Sequence, residues 1–522
     1  MNDFERYPEI VLGLVAPLGI NIQSIEDYLI DALKYFNYQL IAKKLSESIK
    51  EISGVLNVEL KNEPEDARID SFMTAGNKAR EHFGKNYILA AIAVAGIHKS
   101  RKEGYPAPSI SKIIDTLDSK IGRKNVTAIK ELAIEKRPTP KTVYLFNSLK
   151  HPDEVQLLRN IYGEGFFLLG INSSREKRLR YLMNRKHISQ DEAERLIARD
   201  ESESHKTGQH VREAFHLSDF FIDIDADDDF KQIRRVLDLI FSNPYITPTK
   251  EEYAMFLAFA SSLRSADLSR QIGAVITSSE GEVIATGAND VPKPGGGLYW
   301  PGGDDMRDHI KGFDSNTKRR NEIVIAILEK IFPKKDRSEL LEHGKKTLYD
   351  TGIYDITEYG RAVHGEMEAL ISCARSGVSP RGGTIFGTTY PCHNCAKHII
   401  ASGIKRVVFV EPYPKSHAKT LHSDEIVHKH EDGQTEDNKH KVMFEPFVGV
   451  GPRRFIDLFS MNLGSGKKLQ RNENGNIIDV DKRKHSVRVP MLPLSYINRE
   501  NNLLGELKEI MEKKNEEKDR ME

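Results

Sequence analysis

The sequence predicts an α/β protein with two domains, and three observations lead to that prediction. The first 245 residues alternate short apolar segments with segments of helical spacing, as a parallel sheet covered by helices does. A second region opens with two apolar segments on either side of a tight Glu280-Gly281 turn, the pattern of a β-hairpin. Beyond it, a His-x-Glu and a Pro-Cys-x-x-Cys sequence open two helical segments with a predicted strand between them. We therefore expect a parallel-sheet domain followed by a smaller α/β/α domain.

The N-terminal domain, residues 1–245, opens with the elements of a parallel α/β unit. Its predicted strands are short apolar segments, at residues 10–15, 38–41, 143–146, 166–171 and 220–224. Its predicted helices have apolar residues at helical spacing, at residues 25–36, 152–162 and 230–241. Ser24 is the predicted N-cap of the first helix. Asn-Pro and Thr-Pro pairs after the last helix predict a domain boundary near residue 245.

The second domain, residues 246–465, is predicted from its hairpin onward. Its elements are expected in the order helix 249–265, strands 272–276 and 282–287, helix 362–375, strand 383–390, helix 392–401 and strand 406–411. Polar insertions interrupt this order at residues 293–355 and 415–441. The remaining residues, 466–522, are predicted to be a C-terminal extension that ends in a charged surface helix or tail.

The composition is that of a globular protein and argues against several classes. The chain has 522 residues, with 77 Lys and Arg against 77 Asp and Glu. A net charge of zero gives no bulk attraction to nucleic acid, and a single Trp argues against a groove of base-stacking aromatics. No apolar segment approaches the roughly 20 residues of a membrane span, and the N-terminus does not resemble a secretory signal. We expect a cytoplasmic protein without a membrane partner.

The predicted chemistry is concentrated in His364, Glu366, Cys392 and Cys395. Cysteines at i and i+3 on a helix N-terminus point the same way, and the helix dipole favours their thiolates. Together with one imidazole they supply three ligands, which suit zinc and leave its fourth position to water. Bound zinc lowers the pKa of that water towards ~7, and a carboxylate beside it, Glu366, is suited to move protons. A structural zinc site is the alternative. Cys373 is expected in the core.

This pattern resembles the H-x-E and P-C-x-x-C signature of zinc-dependent nucleobase deaminases. Residues 387–408 and 270–289 extend the resemblance to the deoxycytidylate deaminases, over about residues 250–460. The resemblance implies a cytidine deaminase-like fold and hydrolytic deamination of the deoxycytidine nucleotides dCTP and dCMP. It also implies substrate contacts by Asn289 and by Gly365, which stands where the family more often has Ala. A Gly-rich, partly basic loop at 293–297 suggests that the phosphate is read as well as the sugar.

The first strand and helix have the outline of a phosphate-binding loop without its lysine. Aligned on Gly19, the Lys position holds Ile20, the Ser/Thr position holds Asn21, and Leu14 stands at the first Gly position. Gly13, Gly19 and Asn21 remain candidate nucleotide contacts through the backbone and the helix N-terminus. The outline resembles P-loop nucleoside and nucleotide kinases, and the missing ammonium argues against phosphoryl transfer.

A degenerate P-loop kinase-like domain joined to a deoxycytidylate deaminase domain resembles the bacterial anti-phage dCTP deaminases. That resemblance implies depletion of the deoxycytidine nucleotide pool during infection and, in some members, inhibition by a small RNA. We also expect a regulatory nucleotide at the N-terminal domain and a homo-oligomer. A housekeeping enzyme that supplies dUMP for thymidylate synthesis and a nucleic-acid base editor are the alternatives. Solvation is expected for the histidines of the second insertion, with a second metal as the alternative: His417, His422, His428 and His430.

Overall fold

In the part of the chain that the structure describes, the strands form two six-stranded sheets, one in each of two units. The computed structural model describes residues 7–101, 138–201, 203, 207–226, 229–348, 351–411, 416–429, 440–461, 474–476 and 487–519. The first unit combines Met1–Thr247 with Val448–Glu522, and the second is Pro248–Phe447. The sequence suggests boundaries at 245 and 465 instead. Among the described residues, no helix is long and apolar enough to cross a membrane.

In the described residues, one or more helices separate most strands from the next strand along the chain. The strands are β1 (Ile10–Val15), β2 (Gln39–Lys44), β3 (Thr142–Asn147), β4 (Phe166–Asn172), β5 (Phe220–Asp223), β6 (Gly273–Thr277), β7 (Val283–Ala288), β8 (Thr384–Thr389), β9 (Arg406–Glu411), β10 (Ile426–His428), β11 (Val442–Pro446) and β12 (Gly449–Val450). The helices of the first unit's N-terminal part are α1 (Ile22–Lys34), α2 (Leu45–Ile52), α3 (Glu65–Phe83), α4 (Ile88–Ser100), α5 (Pro152–Tyr162), α6 (Arg175–Lys186), α7 (Gln190–Glu201), α8 (Val211–Phe215) and α9 (Asp229–Ile240). The helices that follow are α10 (Lys250–Ser262), α11 (Asp308–Lys311), α12 (Ser315–Ile331), α13 (Arg337–Thr347), α14 (Gly365–Ser376), α15 (His393–Ala401), α16 (Ala418–Leu421), α17 (Phe455–Phe459) and α18 (Pro493–Asp519).

The first sheet is parallel apart from one short edge strand. Its order is β2-β3-β1-β4-β5-β12, and only β12 runs antiparallel to its neighbour. Every residue of β1 is buried, and Leu12 lies opposite Leu145 on one side and Phe167 on the other. A strand buried on both faces needs a continuous apolar segment, which is what the sequence of β1 provides. The five strands predicted for this region are all present.

The start of α1 differs from the prediction. The helix begins at Ile22, so Asn21 is the N-cap, and its side chain makes no capping hydrogen bond. Ser24 lies inside the first turn, where its hydroxyl donates to the carbonyl oxygen of Asn21 at 2.8 Å. Ser24 was the wrong choice of N-cap because a serine hydroxyl bonds equally well to a carbonyl one turn back within a helix.

The C-terminal helix is part of the first unit's core, which the sequence did not predict. On α18, Tyr496, Ile497, Leu503 and Leu507 are buried in the same apolar cluster as α4. Glu500 is fully buried and accepts hydrogen bonds from Tyr162 at 2.9 Å and from two guanidinium nitrogens of Arg101 at 3.0 and 2.9 Å. Its other close neighbour is His98 Nδ1, at 3.1 Å. The predicted C-terminal extension therefore contains a docked helix, anchored by buried charge. Of residues 506–514, which lie in the segment predicted to be a charged surface helix or tail, only Leu507 is buried.

The second sheet is mixed, with the order β7-β6-β8-β9-β11-β10. Strand β6 runs antiparallel to both β7 and β8, and the remaining neighbours are parallel. Helices α14 and α15 pack on this sheet through Ala369, Cys373, Cys395 and Ile399, all in one apolar core. The hairpin, the strands and the helices predicted for this region are present, and Cys373 lies in the core as expected. The first insertion forms α11, α12 and α13.

Replacing Glu500 tests whether the last helix stabilises the first unit. Glu500→Ala should lower that unit's free energy of unfolding by about 3–5 kcal/mol, because Arg101 loses one of its buried carboxylate partners. The single Trp, Trp300, lies in the other unit, so hydrogen exchange of the β1 and α4 amides is the appropriate measurement. Glu509→Ala, at an exposed position of α18, is the matched control. Equal protection in both variants would contradict this account.

Candidate active site

The N-termini of two helices bring the predicted zinc ligands together. His364 is the N-cap residue of α14, and its carbonyl oxygen accepts the N–H of Glu368 at 2.8 Å. Cys392 is the N-cap of α15, where its sulfur accepts the N–H of Cys395 at 3.4 Å. The sulfur takes the place that a Ser or Asp oxygen has in an ordinary N-cap. Both helices thus begin at a metal-ligand candidate.

The three candidate ligand atoms converge on one point. His364 Nδ1 lies 3.4 Å from Cys392 Sγ and 3.3 Å from Cys395 Sγ, and all three ligand atoms lie within 4.8 Å of one another. Two sulfurs and an imidazole nitrogen are a donor set that zinc favours, and three protein ligands leave one tetrahedral position for another molecule. Among the described residues this is the one group of three or more potential ligands. The residues present therefore fit a zinc ion of the catalytic kind.

Proton sharing links the ligand candidates. The hydrogen bond from Cys395, helped by His364, lowers the pKa of Cys392 to about 4. The reciprocal hydrogen bond and burial raise the pKa of Cys395 well above its usual value. The hydrogen bond to Cys392 raises the pKa of His364 to about 9. A metal that binds here must replace these protons, because its ligands are thiolates and a neutral imidazole.

Glu366 lies beside the ligands without belonging to the group. Its side chain is 4% exposed, and its Oε2 lies 3.5 Å from Cys395 Sγ. Burial raises the pKa of this carboxyl group. A carboxyl group whose pKa is raised holds its proton more readily, which suits a group that both accepts and donates a proton. Its position and environment suit the role that the sequence predicts.

The helix that carries Glu366 approaches the hairpin so closely that glycine is needed at the contact. A Cβ on Gly287 of β7 would lie 2.2 Å from the carbonyl oxygen of Gly365 and 2.4 Å from the nitrogen of Ala369. A Cβ on Gly365 would lie 2.9 Å from the carbonyl oxygen of Ile272. These are backbone atoms, so a side chain could be accommodated only by moving the helix. Gly365 therefore has a packing role in this structure.

A cavity of about 360 Å³ opens in front of the ligands. It is lined by His364, Glu366 and Cys392, and by Asn289 at the end of the hairpin. This size falls within the ~300–1,000 Å³ range of small-molecule sites. Gly365 is not among the described residues that line it. The cavity nevertheless brings the predicted catalytic residue, two metal ligands and one predicted substrate contact to a single site.

Asn289 lines the cavity, but its side chain is also hydrogen-bonded to the backbone. Its Oδ1 accepts the N–H of Ile272 at 2.6 Å, and its Nδ2 donates to the carbonyl oxygen of Arg270 at 2.8 Å. The carboxamide thus fixes the cavity wall at residues 270–272. The Gly-rich loop at 293–297 is not among the described residues that line the cavity, and Lys293 forms an exposed ion pair with Asp304.

The sequence did not identify the cavity residues that come from the first insertion. Asp314, Asn316, Thr317 and Arg320, all at the start of α12, line the cavity together with the zinc-ligand candidates. The segment carries no motif, so its sequence could not reveal this. The one available signal was its place in the chain, since the insertion at 293–355 ends a few residues before His364.

The loop after β1, the predicted nucleotide site, is occupied by other parts of the first unit. The N–H of Leu18 donates to Oδ2 of the fully buried Asp200 at 2.7 Å. Lys150 Nζ donates to the other oxygen of Asp200 at 2.7 Å and to the carbonyl oxygen of Ala16 at 3.0 Å. Gly19 has a φ of +96°, and a Cβ there would lie 2.8 Å from Arg178. A carboxylate of the chain thus accepts a loop N–H that a phosphate would use.

The remaining predicted nucleotide contacts, Gly13 and Asn21, and the described histidines of the second insertion lie in different surroundings. Gly13 is inside β1, and a Cβ there would lie 2.7 Å from the Phe166 ring, so its place in the structure is a packed core. Asn21 is exposed at the helix start. The described histidines of the second insertion form no metal cluster: His428 stacks on Tyr390, and His417 lies near His393. His430 lies outside the described residues.

Comparisons with known proteins agree with this geometry. Residues 248–411 match the family described as the cytidine and deoxycytidylate deaminase zinc-binding region. The deoxycytidylate deaminase of Enterobacteria phage T2 is 30% identical over 168 residues, which cover 32% of this chain and 82% of that protein. ComE operon protein 2 of Bacillus subtilis is 42% identical over 69 residues, 13% of this chain and 36% of that protein.

Through its second unit, the chain belongs to the deoxycytidylate deaminase family. Among solved structures, the dCMP deaminase of cyanophage S-TIM5 in complex with dCMP and dUMP matches at 17% identity, with a TM-score of 0.22. That match covers 39% of this chain and all of the phage chain, and a likeness this weak supports no inference. The matched family region is a zinc-binding one, and His364, Cys392 and Cys395 form a possible metal site in this chain.

Removing one sulfur tests the metal site. Cys392→Ala should abolish zinc binding after dialysis, because two ligands hold zinc far less tightly than three. Metal analysis of the dialysed protein measures this directly, and one zinc per chain is expected for the unmodified protein. Cys373→Ala, which removes the cysteine outside the ligand group, should retain its zinc. Full zinc occupancy in Cys392→Ala would overturn the assignment.

Proposed function

We propose that the chain hydrolyses deoxycytidine nucleotides, dCTP and dCMP, to dUTP and dUMP with release of ammonia. The observation that carries this proposal is the convergence of three zinc-ligand candidates and a separate buried carboxyl group at one cavity. Family membership supports the reaction class. The cavity volume exceeds the ~150 Å³ that a single six-membered ring fills, which leaves room for a sugar and a phosphate beside the base.

Glu366 is the proposed proton carrier. Zinc bound by His364, Cys392 and Cys395 would supply an activated water for attack at C4 of cytosine. Glu366 would take a proton from that water and pass it to N3. It would then deliver the second proton to the amino group, which leaves as ammonia while the ring becomes uracil. Burial raises the pKa of Glu366, which favours its taking up a proton during this exchange.

We also propose that the first unit is a degenerate P-loop kinase-like domain with a regulatory role. Strand β1 stands at the centre of the parallel order β2-β3-β1-β4-β5, and a loop and helix follow it directly. A phosphate could bind that loop only by displacing the Asp200 carboxylate from Leu18 and Lys150. Binding of a nucleotide would therefore be linked to movement of α7, which ends at Glu201.

A role in defence against phage is proposed for the combined protein. A compact enzyme that supplies dUMP does not need a further unit of more than two hundred residues. The T2 relative matches over 168 residues, which are 82% of its length but only 32% of this chain. Depletion of deoxycytidine nucleotides would halt phage DNA synthesis. The housekeeping role is the alternative, and a protein that acts only on dCMP would favour it.

Assay of the zinc-loaded protein against dCTP, dCMP, CTP and deoxycytidine tests the proposed function. Ammonia and uracil products should form fastest from the deoxycytidine nucleotides. Glu366→Gln should retain zinc and lose at least about a hundredfold in rate, the low end of the range for a general acid/base. Glu368→Gln is the matched control, because this buried glutamate of the same helix turn pairs with Arg375 instead.

Two outcomes would contradict the function. Faster turnover of free deoxycytidine than of either nucleotide would refute the nucleotide substrate, and an active Glu366→Gln would refute the proton carrier. The same variant tests the defence role in cells. Only the unmodified protein should lower phage yield and the dCTP pool.

Weakening the hold of Asp200 on the loop after β1 tests the regulatory proposal. In a Glu366→Gln background, Asp200→Asn should bind ATP about tenfold more tightly, because a neutral amide competes less well for Leu18 and Lys150. Equilibrium dialysis with labelled ATP measures this, and ATP avoids the cytosine site. Asp191→Asn, an exposed position of the same helix, should change nothing. If ATP binds none of these proteins, the unit is a scaffold.

A further inference from the structure

The inserted helices place a guanidinium group on the wall of the candidate active site. Arg320 lies in the second turn of α12, within the insertion that precedes His364. It lines the same cavity as His364 and Glu366, together with Asn316 and Thr317 from the first turn of α12. The cavity thus has a catalytic end on α14 and α15 and a second end on the insertion.

Arg320 is held in position and has a donor to spare. Its Nη1 donates to the carbonyl oxygen of Tyr354 at 2.8 Å, and its guanidinium lies 5.1 Å from the centre of the Tyr354 ring. Its Nη2 has no hydrogen-bond partner among the described residues and, unlike Nε, is not buried. A guanidinium group matches phosphate oxygens well. Because Arg320 lines the cavity, its unused Nη2 is available to an acceptor supplied by a ligand.

Two carboxylates that line the cavity accept hydrogen bonds from residues of their own turns. Asp314 caps α12 by accepting the N–H of Thr317. Asp267 accepts the N–H and the hydroxyl of Ser269, at 2.9 and 2.5 Å. The first turn of α12 also carries the partial positive charge of a helix N-terminus. The guanidinium group of Arg320 and the start of α12 therefore supply positive charge at this wall, while both carboxylates already accept hydrogen bonds from their own turns.

The insertion is fastened to the chain that leads into His364. Asn316 donates to the carbonyl oxygen of Ile356 at 2.8 Å and accepts the N–H of Tyr359 at 3.2 Å. Arg361 donates to Asp308 at 2.6 Å. These bonds hold α11 and the start of α12 against the segment that leads into His364, so the fold places Arg320 on the same cavity as the zinc-ligand candidates.

We propose that Arg320 is a specificity-determining residue that binds the 5′-phosphate of the substrate. The insertion would then select deoxycytidine nucleotides over the free nucleoside. This inference rests on the proposed function and names the residue that reads the phosphate. A phosphate oxygen would accept from Nη2, and the charge of the guanidinium group would strengthen that hydrogen bond.

Kinetics of Arg320→Ala and Arg320→Lys test the proposal. Arg320→Ala should raise KM for dCMP about 10- to 100-fold and leave kcat within about threefold, because a charged hydrogen bond to a non-reacting group is lost. The kinetics of deoxycytidine should not change. Arg320→Lys should recover part of the affinity by retaining the charge. Arg319→Ala is the matched control, since this exposed neighbour pairs with Glu322.

Binding of the reaction products also compares a nucleotide with a nucleoside, and it does not depend on turnover. Calorimetry on the zinc-loaded protein should find that Arg320→Ala weakens dUMP and leaves deoxyuridine unchanged. Equal weakening of both, or a fall in kcat at unchanged KM, would show that Arg320 only supports the fold and would overturn the proposal. An unmodified protein that turns over no cytosine compound would instead refute the proposed function, and the dUMP comparison would still decide the role of Arg320.

Discussion

The backbone contact between helix α14 and the β6–β7 hairpin sets the geometry of the candidate active site. With no side chain at Gly287 or Gly365, the helix can lie directly against the hairpin, and its start is placed at the sheet edge. His364 and Glu366 occupy the first positions of that helix, so their distance from the two cysteines depends on this contact. A single methyl group at either glycine would meet backbone atoms, which cannot rotate away as a side chain can.

The zinc ligands were predictable because their chemistry demands particular residue types at fixed spacing. The same was true of the strands and helices around them, whose apolar periodicity matches their burial. Other features depend on tertiary contacts that leave no local pattern. Gly13 resembles a loop glycine in sequence but packs against Phe166, and Arg320 gains its position only through the folding of a motif-free insertion. The sequence did not reveal the docked C-terminal helix, because the helix has few apolar residues on its buried face and its end is highly charged.

Asp200 gives the loop after β1 a partner from within the same unit. Its carboxylate is fully buried, yet both oxygens are hydrogen-bonded, one to the Leu18 N–H and one to Lys150. A buried charge is tolerated when it is paired in this way. The arrangement stabilises a loop whose own sequence lacks the lysine of a working phosphate site. Any incoming anion would compete with a carboxylate already held at high effective concentration by the chain.

The first unit is assembled from both ends of the chain, and this has a consequence for its synthesis. Arg101 and Glu9 leave the ribosome long before Glu500, which shares their buried cluster. The second unit, Pro248–Phe447, is contiguous and is translated in between. Domains that are complete can fold as they emerge, so the deaminase-family unit can reach its native state first. The core of the first unit is complete only after the last helix, α18, has been synthesised. Translation that stops before α18 would therefore release a chain with a complete second unit and an incomplete first unit.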